Sequence, residues 1–389
     1  MYSFKHIHGN PKRKEDKKLK IVHFGQKHMP SREGGVEIVA EELTTRMATL
    51  GHNVTCINRR GHHISGAQFD QEALHEYKGV HITSVPTIRK KGLAAASSSF
   101  FATLKASFGN YNIVHIHAEG PAVFCWMPRL LGKKVICQNH GADWARPRWQ
   151  GTWGAHYIKY GEKMMAKYAD EIIVLSKGMQ EYFMSTYNRT TTYIPNGVNR
   201  PQILPAQSIG DKWNLTKDSY ILALARLTDE KKIHLLIQAY TKIKTNIKLV
   251  IAGGSSDSEE YITLLHQLAD NDPRIIFTGF VQGQILEELY SNAYLYCLPS
   301  ELEGMPLSLL EAMSYGNCCL ISDIPECKDV VEDKALSFKK NDVNDLKDKI
   351  QLLLDNPDKV AMYKAMAANY ICNKYSWDDV VDKMLLLYQ

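Results

Sequence analysis

Two glutamates, Glu303 and Glu311, have the spacing in this chain that best suits a binding or catalytic site. The short apolar stretch Tyr294–Leu298 precedes them and has the composition of a buried parallel strand. Gly304 then permits a tight turn, and Pro306 suits the first position of a helix, where its missing N–H group would be unbonded anyway. The segment therefore predicts a strand, a loop and a helix, with a carboxylate at each end of its first two turns.

This predicted geometry suits a ligand that carries both phosphate and hydroxyl groups. The free backbone N–H groups near Met305 and Leu307, at the start of the helix, would attract a phosphate. Glu311, about two turns along the helix, is placed to accept hydrogen bonds from sugar hydroxyls. A nucleotide sugar offers both kinds of group. A capped amphipathic helix with two surface glutamates is the alternative interpretation.

Two cations lie on a second predicted strand-to-helix loop. Tyr220–Ala225 predicts a strand, and Arg226 and Lys231 follow it before a helix that ends at Tyr240. An arginine fork and a lysine point charge on such a loop suit a departing diphosphate. Two surface bases are the alternative interpretation, and the one that these residues would favour if they were taken alone.

Histidines follow predicted strands in the first half of the chain. His115 and His117 end a strand that begins at Ile113, and His140 follows the strand Lys134–Gln138. Open α/β sheets bind ligands at the carboxyl ends of their strands. A His-x-His pair alone is not a zinc site, and the sequence offers no further ligand for one, so we expect no metal.

Strands and helices alternate in two successive runs of about 180 residues each, which predicts an α/β protein with two doubly wound parallel sheets. We expect a flexible basic tail over residues 1–18, an N-terminal domain over 19–200 and a C-terminal domain over 201–374. The first run contains Gly34-Gly35 but no Gly-x-Gly-x-x-Gly, so the fingerprint of nicotinamide binding is absent.

Composition and charge narrow the function further. The chain has 389 residues, of which 44% are hydrophobic, and it contains no apolar run long enough to span a membrane. Its polar, basic N-terminus is not a secretory signal, and eight scattered cysteines without a Cys-x-x-Cys pair fit a reducing cytoplasm. We therefore expect a cytoplasmic protein without a disulfide framework.

Charge is distributed unevenly along the chain. Residues 1–20 hold 7 Lys and Arg against 2 Asp and Glu, residues 21–200 hold 21 against 13, and residues 201–389 hold 19 against 27. This asymmetry indicates that the N-terminal half faces something anionic, such as a membrane surface or a lipid pyrophosphate. A solvated surface is the alternative. We expect no nucleic-acid partner, because no recognition motif is present.

Seven motifs occur in the order that is typical of the family 4 glycosyltransferases, and the chain resembles that family from about Leu19 onward. One departure is Lys232, which stands where the family has glycine after the lysine. The motifs are Gly34-Gly35-Val36-Glu37, Gly51-His52-x-Val54-Thr55, His140-Gly141-x-Asp143, Ala169-Asp170-x-Ile172-Ile173-x-x-Ser176, Tyr193–Asn199, Arg226 with Lys231, and Glu303-x7-Glu311.

The resemblance implies the GT-B fold, in which two Rossmann-like domains face a cleft and a terminal helix, here residues 375–389, crosses back to the first domain. It also implies that a sugar is transferred with retention from a nucleotide diphosphate donor, UDP- or GDP-linked, to an acceptor. The implied acceptor belongs to bacterial surface polysaccharide assembly and is lipid-linked or a growing glycan. Neither a cofactor nor a metal is expected.

The resemblance also assigns roles to individual residues. Arg226 and Lys231 would stabilise the departing diphosphate, and Glu311 would hold the ribose hydroxyls. His140 would contact the sugar or guide the acceptor, and Gly35 would line the diphosphate. The transferred sugar would be contacted by Glu303, together with the amides near Gly304 and Met305. Pro306 and Leu307, at the start of the helix, would complete the donor-binding residues.

Attachment to the inner face of the plasma membrane is a further expectation. Arg89-Lys90-Lys91-Gly92 leads into the predicted helix Leu93–Phe108, and a basic start beside an apolar face is typical of an interfacial helix. A packed surface helix is the alternative interpretation.

Three other function classes stay open. A nucleotide-sugar epimerase shares the fold but needs no acceptor. A non-catalytic GT-B scaffold would be expected to lose one of the four charged residues, yet all four are present. A nucleic-acid-binding protein would have to rely on the basic tail alone, and its DNA binding would depend steeply on salt.

Overall fold

The computed structural model of the chain describes residues 18–61, 74–88, 93–254 and 259–389. The first 17 residues of the predicted basic tail and the segment Arg89–Gly92 lie outside the described residues. Within the described part, the chain forms two α/β domains, each built on its own sheet. None of the helices described is both long and apolar enough to cross a membrane.

The first sheet has eight strands: β1 (Lys20–Phe24), β2 (Asn53–Arg59), β3 (Glu76–Tyr77), β4 (Val80–Val85), β5 (Ile113–His117), β6 (Lys134–Gln138), β7 (Glu171–Val174) and β8 (Thr192–Tyr193). They lie in the order β3-β4-β2-β1-β5-β6-β7-β8, and among the described residues only β3 and β4 pair antiparallel. All five residues of β5 are buried, as expected for a central strand with helices on both faces.

Five helices accompany this sheet: α1 (Gly35–Thr49), α2 (Leu93–Phe108), α3 (Trp126–Leu130), α4 (Trp153–Tyr168) and α5 (Lys177–Tyr187). Side-chain caps fix where two of them begin. The hydroxyl of Thr152 accepts a hydrogen bond from the Ala155 amide, and that of Ser176 accepts one from the Met179 amide. These caps satisfy amides that have no partner within the first helical turn.

The second sheet is wholly parallel and has the order β11-β10-β9-β12-β13-β14. Its strands are β9 (Tyr220–Leu224), β10 (Lys248–Ala252), β11 (Ile275–Gly279), β12 (Leu295–Leu298), β13 (Cys319–Ser322) and β14 (Leu336–Phe338). Its helices are α6 (Ser208–Trp213), α7 (Ile233–Tyr240), α8 (Glu259–Ala269), α9 (Gln284–Asn292), α10 (Leu307–Ser314), α11 (Pro325–Val331), α12 (Val343–Asp355) and α13 (Pro357–Lys374).

The last helix, α14 (Trp377–Tyr388), returns to the first domain and packs against α1. The Arg46 guanidinium binds the Asp378 carboxylate at 3.0 Å, which ties the two helices together. A Cβ atom on Gly197 would lie 2.6 Å from the backbone nitrogen of Trp377, so the chain before the linker can meet the start of α14 only through glycine.

The prediction of two doubly wound parallel sheets is confirmed. The strands that the sequence did not predict are β3, β8 and β14, which have two or three residues each and lie at or near sheet edges. Segments this short contain no apolar run or alternation that would distinguish them from loops.

Candidate active site

The loop after β12 and a loop after β9 meet through an ion pair. Glu303 is buried, and its Oε1 accepts a hydrogen bond from Nζ of Lys231 at 2.5 Å. Lys231 lies in a short 3₁₀ turn after β9, the strand that pairs with β12. Two residues that the sequence suggested separately therefore lie in one site at the carboxyl ends of adjacent strands.

Arg226 lies two residues after the end of β9, and its side chain makes no hydrogen bond or ion pair within the described residues. Burial, together with the charges of Arg146 and Arg148, lowers the pKa of Arg226, although Glu230 and Asp143 oppose the shift. An arginine without a direct carboxylate partner, close to two others, is well suited to a polyanion such as a diphosphate.

Arg146 links the two domains, although the sequence analysis did not single it out. Its Nε donates to Asp143 at 2.6 Å, and its Nη1 donates across the interface to Glu230 at 3.2 Å. Burial opposes ionisation of Asp143, but Arg146 outweighs it and holds the pKa of this carboxyl below its usual value. Glu230 is distant in sequence, so no local motif could have revealed the pair.

Glu311 lies in the second turn of α10 and is engaged on both oxygens. Its Oε1 accepts from Nη1 of Arg32 at 3.1 Å, and its Oε2 accepts from the hydroxyl of Tyr290 at 3.1 Å. Burial raises the pKa of Glu311, and the charge of Arg32 opposes that shift. Arg32, which the sequence analysis missed, thus reaches from the first domain to the predicted ribose ligand.

Glycines allow the two domains to approach closely beside these charges. A Cβ atom on Gly304 would lie 2.0 Å from the carbonyl oxygen of His140, and one on Gly141 would lie 2.9 Å from Cα of Gly304. The chain bends at Gly304 without a positive φ, so the close contact, and not the backbone conformation, is what requires glycine there. Gly35 faces Leu307, whose Cδ1 would lie 3.4 Å from an added Cβ.

Helix α10 begins one residue later than predicted. Pro306 is its N-cap, with extended backbone angles, and the Pro306 carbonyl accepts from the amides of Leu309 and Leu310. Met305 is fixed from the first domain, since the Asn196 side-chain amide donates to the Met305 carbonyl at 3.4 Å. The start of α10 therefore lies at the junction of the two domains, and a helix N-terminus stabilises an anion.

His140 lies at the same junction of the two domains. It is buried, its Nε2 lies 3.2 Å from Nδ1 of His117, and burial lowers the pKa of His140 to about 4. The residue before it is also anchored, because Asn139 donates to Glu119 at 2.9 Å and accepts from the Gly141 amide at 2.9 Å. This anchoring holds the loop that contacts Gly304.

The His115-x-His117 pair has a neighbour that the sequence analysis did not find. His23, from β1, lies with both histidines so that one nitrogen of each falls within 4.8 Å of the others. The register of β1 and β5 places His23 beside His115, and only the assembled sheet could reveal that pairing.

Lys232 occupies the position of the glycine that the family motif would have. Its backbone is left-handed, with φ of 50°, and its ammonium binds Asp229 at 2.8 Å and Glu301 at 3.0 Å. Lys232 therefore faces two carboxylates, unlike Arg226.

The structure brings together the predicted site residues from both domains: Gly35, His140, Arg226, Lys231, Glu303, Gly304, Met305, Pro306, Leu307 and Glu311.

Comparison with known protein families covers both domains. Residues 33–201 match the model described as Glycosyltransferase Family 4, and residues 207–373 match the model described as Glycosyl transferases group 1. An uncharacterised glycosyltransferase of Methanocaldococcus jannaschii is 25% identical and covers 95% of this chain and 98% of its own. The O-antigen chain mannosyltransferase RfbU of Salmonella typhimurium is also 25% identical, over 55% of this chain and 59% of its own.

Solved structures share the two-domain architecture. Sucrose-phosphate synthase from Thermosynechococcus elongatus superimposes with a TM-score of 0.77 at 19% identity, over 95% of this chain and 98% of its own. Anabaena HepE in complex with UDP and glucose gives a TM-score of 0.77 at 15% identity, with the same coverage of 95% and 98%. At these identities the likeness concerns the fold.

Proposed function

The chain belongs to the family 4 glycosyltransferases and has the GT-B fold, and we propose that it transfers a sugar, with retention, from a UDP- or GDP-sugar to a glycan acceptor. One observation carries the proposal. The pair Lys231–Glu303 and the unpaired Arg226 lie at adjacent strand ends, beside the helix that presents Glu311.

The diphosphate that leaves in this reaction is negatively charged, so the site needs positive charges to stabilise it. Arg226 and Lys231 stabilise it as the bond to the sugar breaks, and preorganised cations of this kind lower a barrier more than they could in water. Glu303 holds Lys231 and contacts the sugar. We propose that these cations replace a metal, so an excess of chelator should leave the rate unchanged.

Glu311 and the start of α10 position the nucleotide. In the proposed complex the ribose hydroxyls donate to Glu311, and the first amides of α10 face a phosphate. The contact between Gly304 and His140 closes one end of the cleft, which excludes water from the reacting carbon. Retention would be measured from the anomeric configuration of the product.

We propose a lipid-linked acceptor and peripheral attachment to a membrane. One relative, from Campylobacter jejuni, is named for transfer to a diphospho-undecaprenol acceptor and is 25% identical over 58% of this chain. Apolar side chains are exposed along α2 and α3, which pack together: Phe100, Phe101, Phe108, Trp126, Leu130 and Leu131. Arg129 and Lys133 lie beside them, but Arg129 pairs with Asp170 and Lys133 donates to the carbonyls of Gly109 and Tyr111, so the exposed apolar side chains carry the proposal.

Vesicle sedimentation tests the membrane proposal. The double variant Leu130→Glu/Leu131→Glu should reduce binding to anionic vesicles, whereas Met362→Glu, at an exposed apolar residue of the second domain, should not. Equal binding by both variants would contradict attachment through this surface.

A donor screen tests the transferase itself. UDP-, GDP- and ADP-sugars are offered with a lipid pyrophosphate acceptor, and nucleotide release is measured for wild type, Arg226→Ala and Glu311→Ala. We expect release with one donor, and loss of about 10²-fold or more in the Arg226 variant. Folded protein that releases nucleotide from no donor would contradict the proposal, and conversion of the donor sugar without transfer would indicate an epimerase.

A further inference from the structure

Three histidines form a hydrogen-bonded row that ends at the cleft. Nε2 of His140 lies 3.2 Å from Nδ1 of His117, and Nε2 of His117 lies 3.2 Å from Nδ1 of His23. His23 and His117 are fully buried on adjacent strands, and His140 is 9% exposed. We call these three residues the histidine row.

Burial favours the neutral form of all three rings. Burial lowers the pKa of His23 and of His117 well below the ordinary histidine value, and it lowers the pKa of His140 to about 4. A neutral imidazole has one N–H donor and one lone pair. Two hydrogen bonds between three such rings can therefore run in only two directions, either from His23 toward His140 or the reverse.

The two ends of the row decide between these directions. Nε2 of His23 is fully buried and has no partner among the described residues. Nδ1 of His140 also has no partner there, but it is not among the fully buried atoms, so it is partly accessible beside the junction of the two domains. The reverse direction would bury an unpaired N–H group on His23, whereas the forward direction leaves only a lone pair. An orphaned buried donor is the rarer and costlier of the two.

We propose that His117, supported by His23, fixes His140 in the tautomer that carries its proton on Nδ1. His140 then presents a hydrogen-bond donor to the cleft, where it binds an oxygen of the donor sugar. His117 and His23 are positioning residues, since neither reaches the cleft. The sugar as ligand rests on the proposed function, but the tautomer itself does not.

A metal ion at His23, His115 and His117 is the competing interpretation, and the ring geometry argues against it. The rings of His23 and His115 are stacked, with centroids 4.5 Å apart and planes inclined by 15°, so their lone pairs lie in two nearly parallel planes and one ion cannot lie in both. Both nitrogens of His115 are also engaged, by the hydroxyl of Tyr388 at 2.6 Å and by Gln138 at 3.1 Å.

The direct test is the tautomer of each ring, which does not require turnover. The full chain is labelled with ¹⁵N-histidine, and protonated and unprotonated ring nitrogens are distinguished by their ¹⁵N shifts. His23→Asn, His117→Asn and His140→Asn assign the signals. We expect protonated Nδ1 in all three rings. Protonated Nε2 in His140 would overturn the proposal, and so would one equivalent of zinc that is lost in His23→Asn.

Variant pairs then test the role of the tautomer. His140→Asn keeps an amide near the position of Nδ1, whereas His140→Gln moves it toward Nε2, so the Asn variant should be roughly tenfold more active. His117→Asn can still donate to His140 and should retain its Nδ1 tautomer, whereas His117→Leu cannot. Equal activity of the two His140 variants would contradict the proposal that Nδ1 of His140 donates a hydrogen bond to the sugar.

His115→Asn is the matched control, because His115 is equally buried in the same cluster but lies outside the histidine row. It should leave the tautomer of His140 unchanged. If wild type transfers no sugar at all, the proposed function fails, whereas the NMR result still decides the tautomer.

Discussion

The two sides of the cleft are built from different chemistry. The side from the second domain carries formal charges, with Arg226, Lys231, Glu303 and Glu311 on loops and one helix. The side from the first domain carries the Asp143–Arg146 pair, but it also ends in His140, whose neutral form burial favours and which is backed by buried histidine rings. A charged surface suits the diphosphate that leaves, and a neutral hydrogen-bonding surface suits the sugar that stays to react.

The difference also explains how each side is positioned. The charged side depends on residues within a few positions of a strand end, since Arg226 follows β9 and Glu303 follows β12. The neutral side depends on strand register, because β1 pairs with β5 and places His23 beside His115. Local spacing controls the first arrangement, and the assembly of the whole sheet controls the second.

Acid should therefore destabilise the first domain more than the second. The unfolded chain binds protons at its histidines near pH 6.5, whereas burial lowers the pKa of His140 to about 4 and that of His115 to about 3. Stability from these groups is complete above pH 6.5 and is lost as the pH falls toward the folded values. Between pH 7 and 5 each contributes a loss of about 2 kcal/mol, measured by denaturant titration.

Single-histidine variants sharpen this prediction. In His115→Asn the loss of stability between pH 7 and 5 should be smaller by about 2 kcal/mol. His81→Asn, which removes an exposed histidine, should leave the pH dependence unchanged. If the wild-type protein has the same free energy of unfolding at pH 7 and pH 5, the buried histidines of the first domain do not have lowered pKa values.

Gly304→Ala should push apart the two loops that meet between the domains. The new Cβ atom would lie 2.0 Å from the carbonyl oxygen of His140, so the loops must move apart. A displacement of about 1 Å at a reacting centre can reduce turnover about 10²-fold, which steady-state kinetics would measure.

The control for this substitution is Gly178→Ala in α5. Its added Cβ would have only the Ser176 hydroxyl near it, at 4.0 Å, so activity should be retained. Normal turnover by Gly304→Ala would show that the contact between the domains does not position the reacting groups.

The charged side could be predicted from the sequence largely because its signals are local. The strand, the loop and the helix around Glu303 and Glu311 appear within one short segment, and the helix start was wrong by one residue. The partners of these residues could not be predicted. Arg32 reaches Glu311 from the other domain, and nothing in the sequence around either residue records that contact.

The neutral side shows the same limit more strongly. His140 was predicted from its motif, but its contact with His117 depends on β5 and β6 lying side by side, and His23 joins through β1. A histidine on a strand has no periodic signature that distinguishes a core position from a row of hydrogen bonds. The close contact of Gly304 with His140 could not be predicted either, because a contact between domains has no signature in the sequence.

Arg32→Ala tests whether the first domain also acts on the charged side. Arg32 opposes the effect of burial on Glu311, so its removal should raise the pKa of Glu311 further. Donor binding, which uses the ionised carboxylate, should then weaken at a higher pH than in wild type. Because the pair is partly exposed, the weakening should be modest, about threefold at pH 6, measured by calorimetry.

The control for Arg32 is Arg200→Ala, an exposed arginine that bonds Asn369 at 3.3 Å and should leave donor binding unchanged. An identical pH dependence in Arg32→Ala and wild type would place control of Glu311 entirely within the second domain.

Lys232→Gly should have the smallest effect. Glycine relieves a left-handed backbone that disfavours lysine by about 1 kcal/mol, but it loses the ion pairs to Asp229 and Glu301 and gains freedom in the unfolded chain. These effects nearly cancel, so we expect a change in unfolding free energy within about 0.5 kcal/mol and unchanged turnover. The adjacent Lys231→Ala should lose activity strongly, because its ammonium serves the diphosphate. A comparable loss of activity in Lys232→Gly would mean that both lysines bind the diphosphate of the donor. The charged side would then include a residue to which the motif assigns no role.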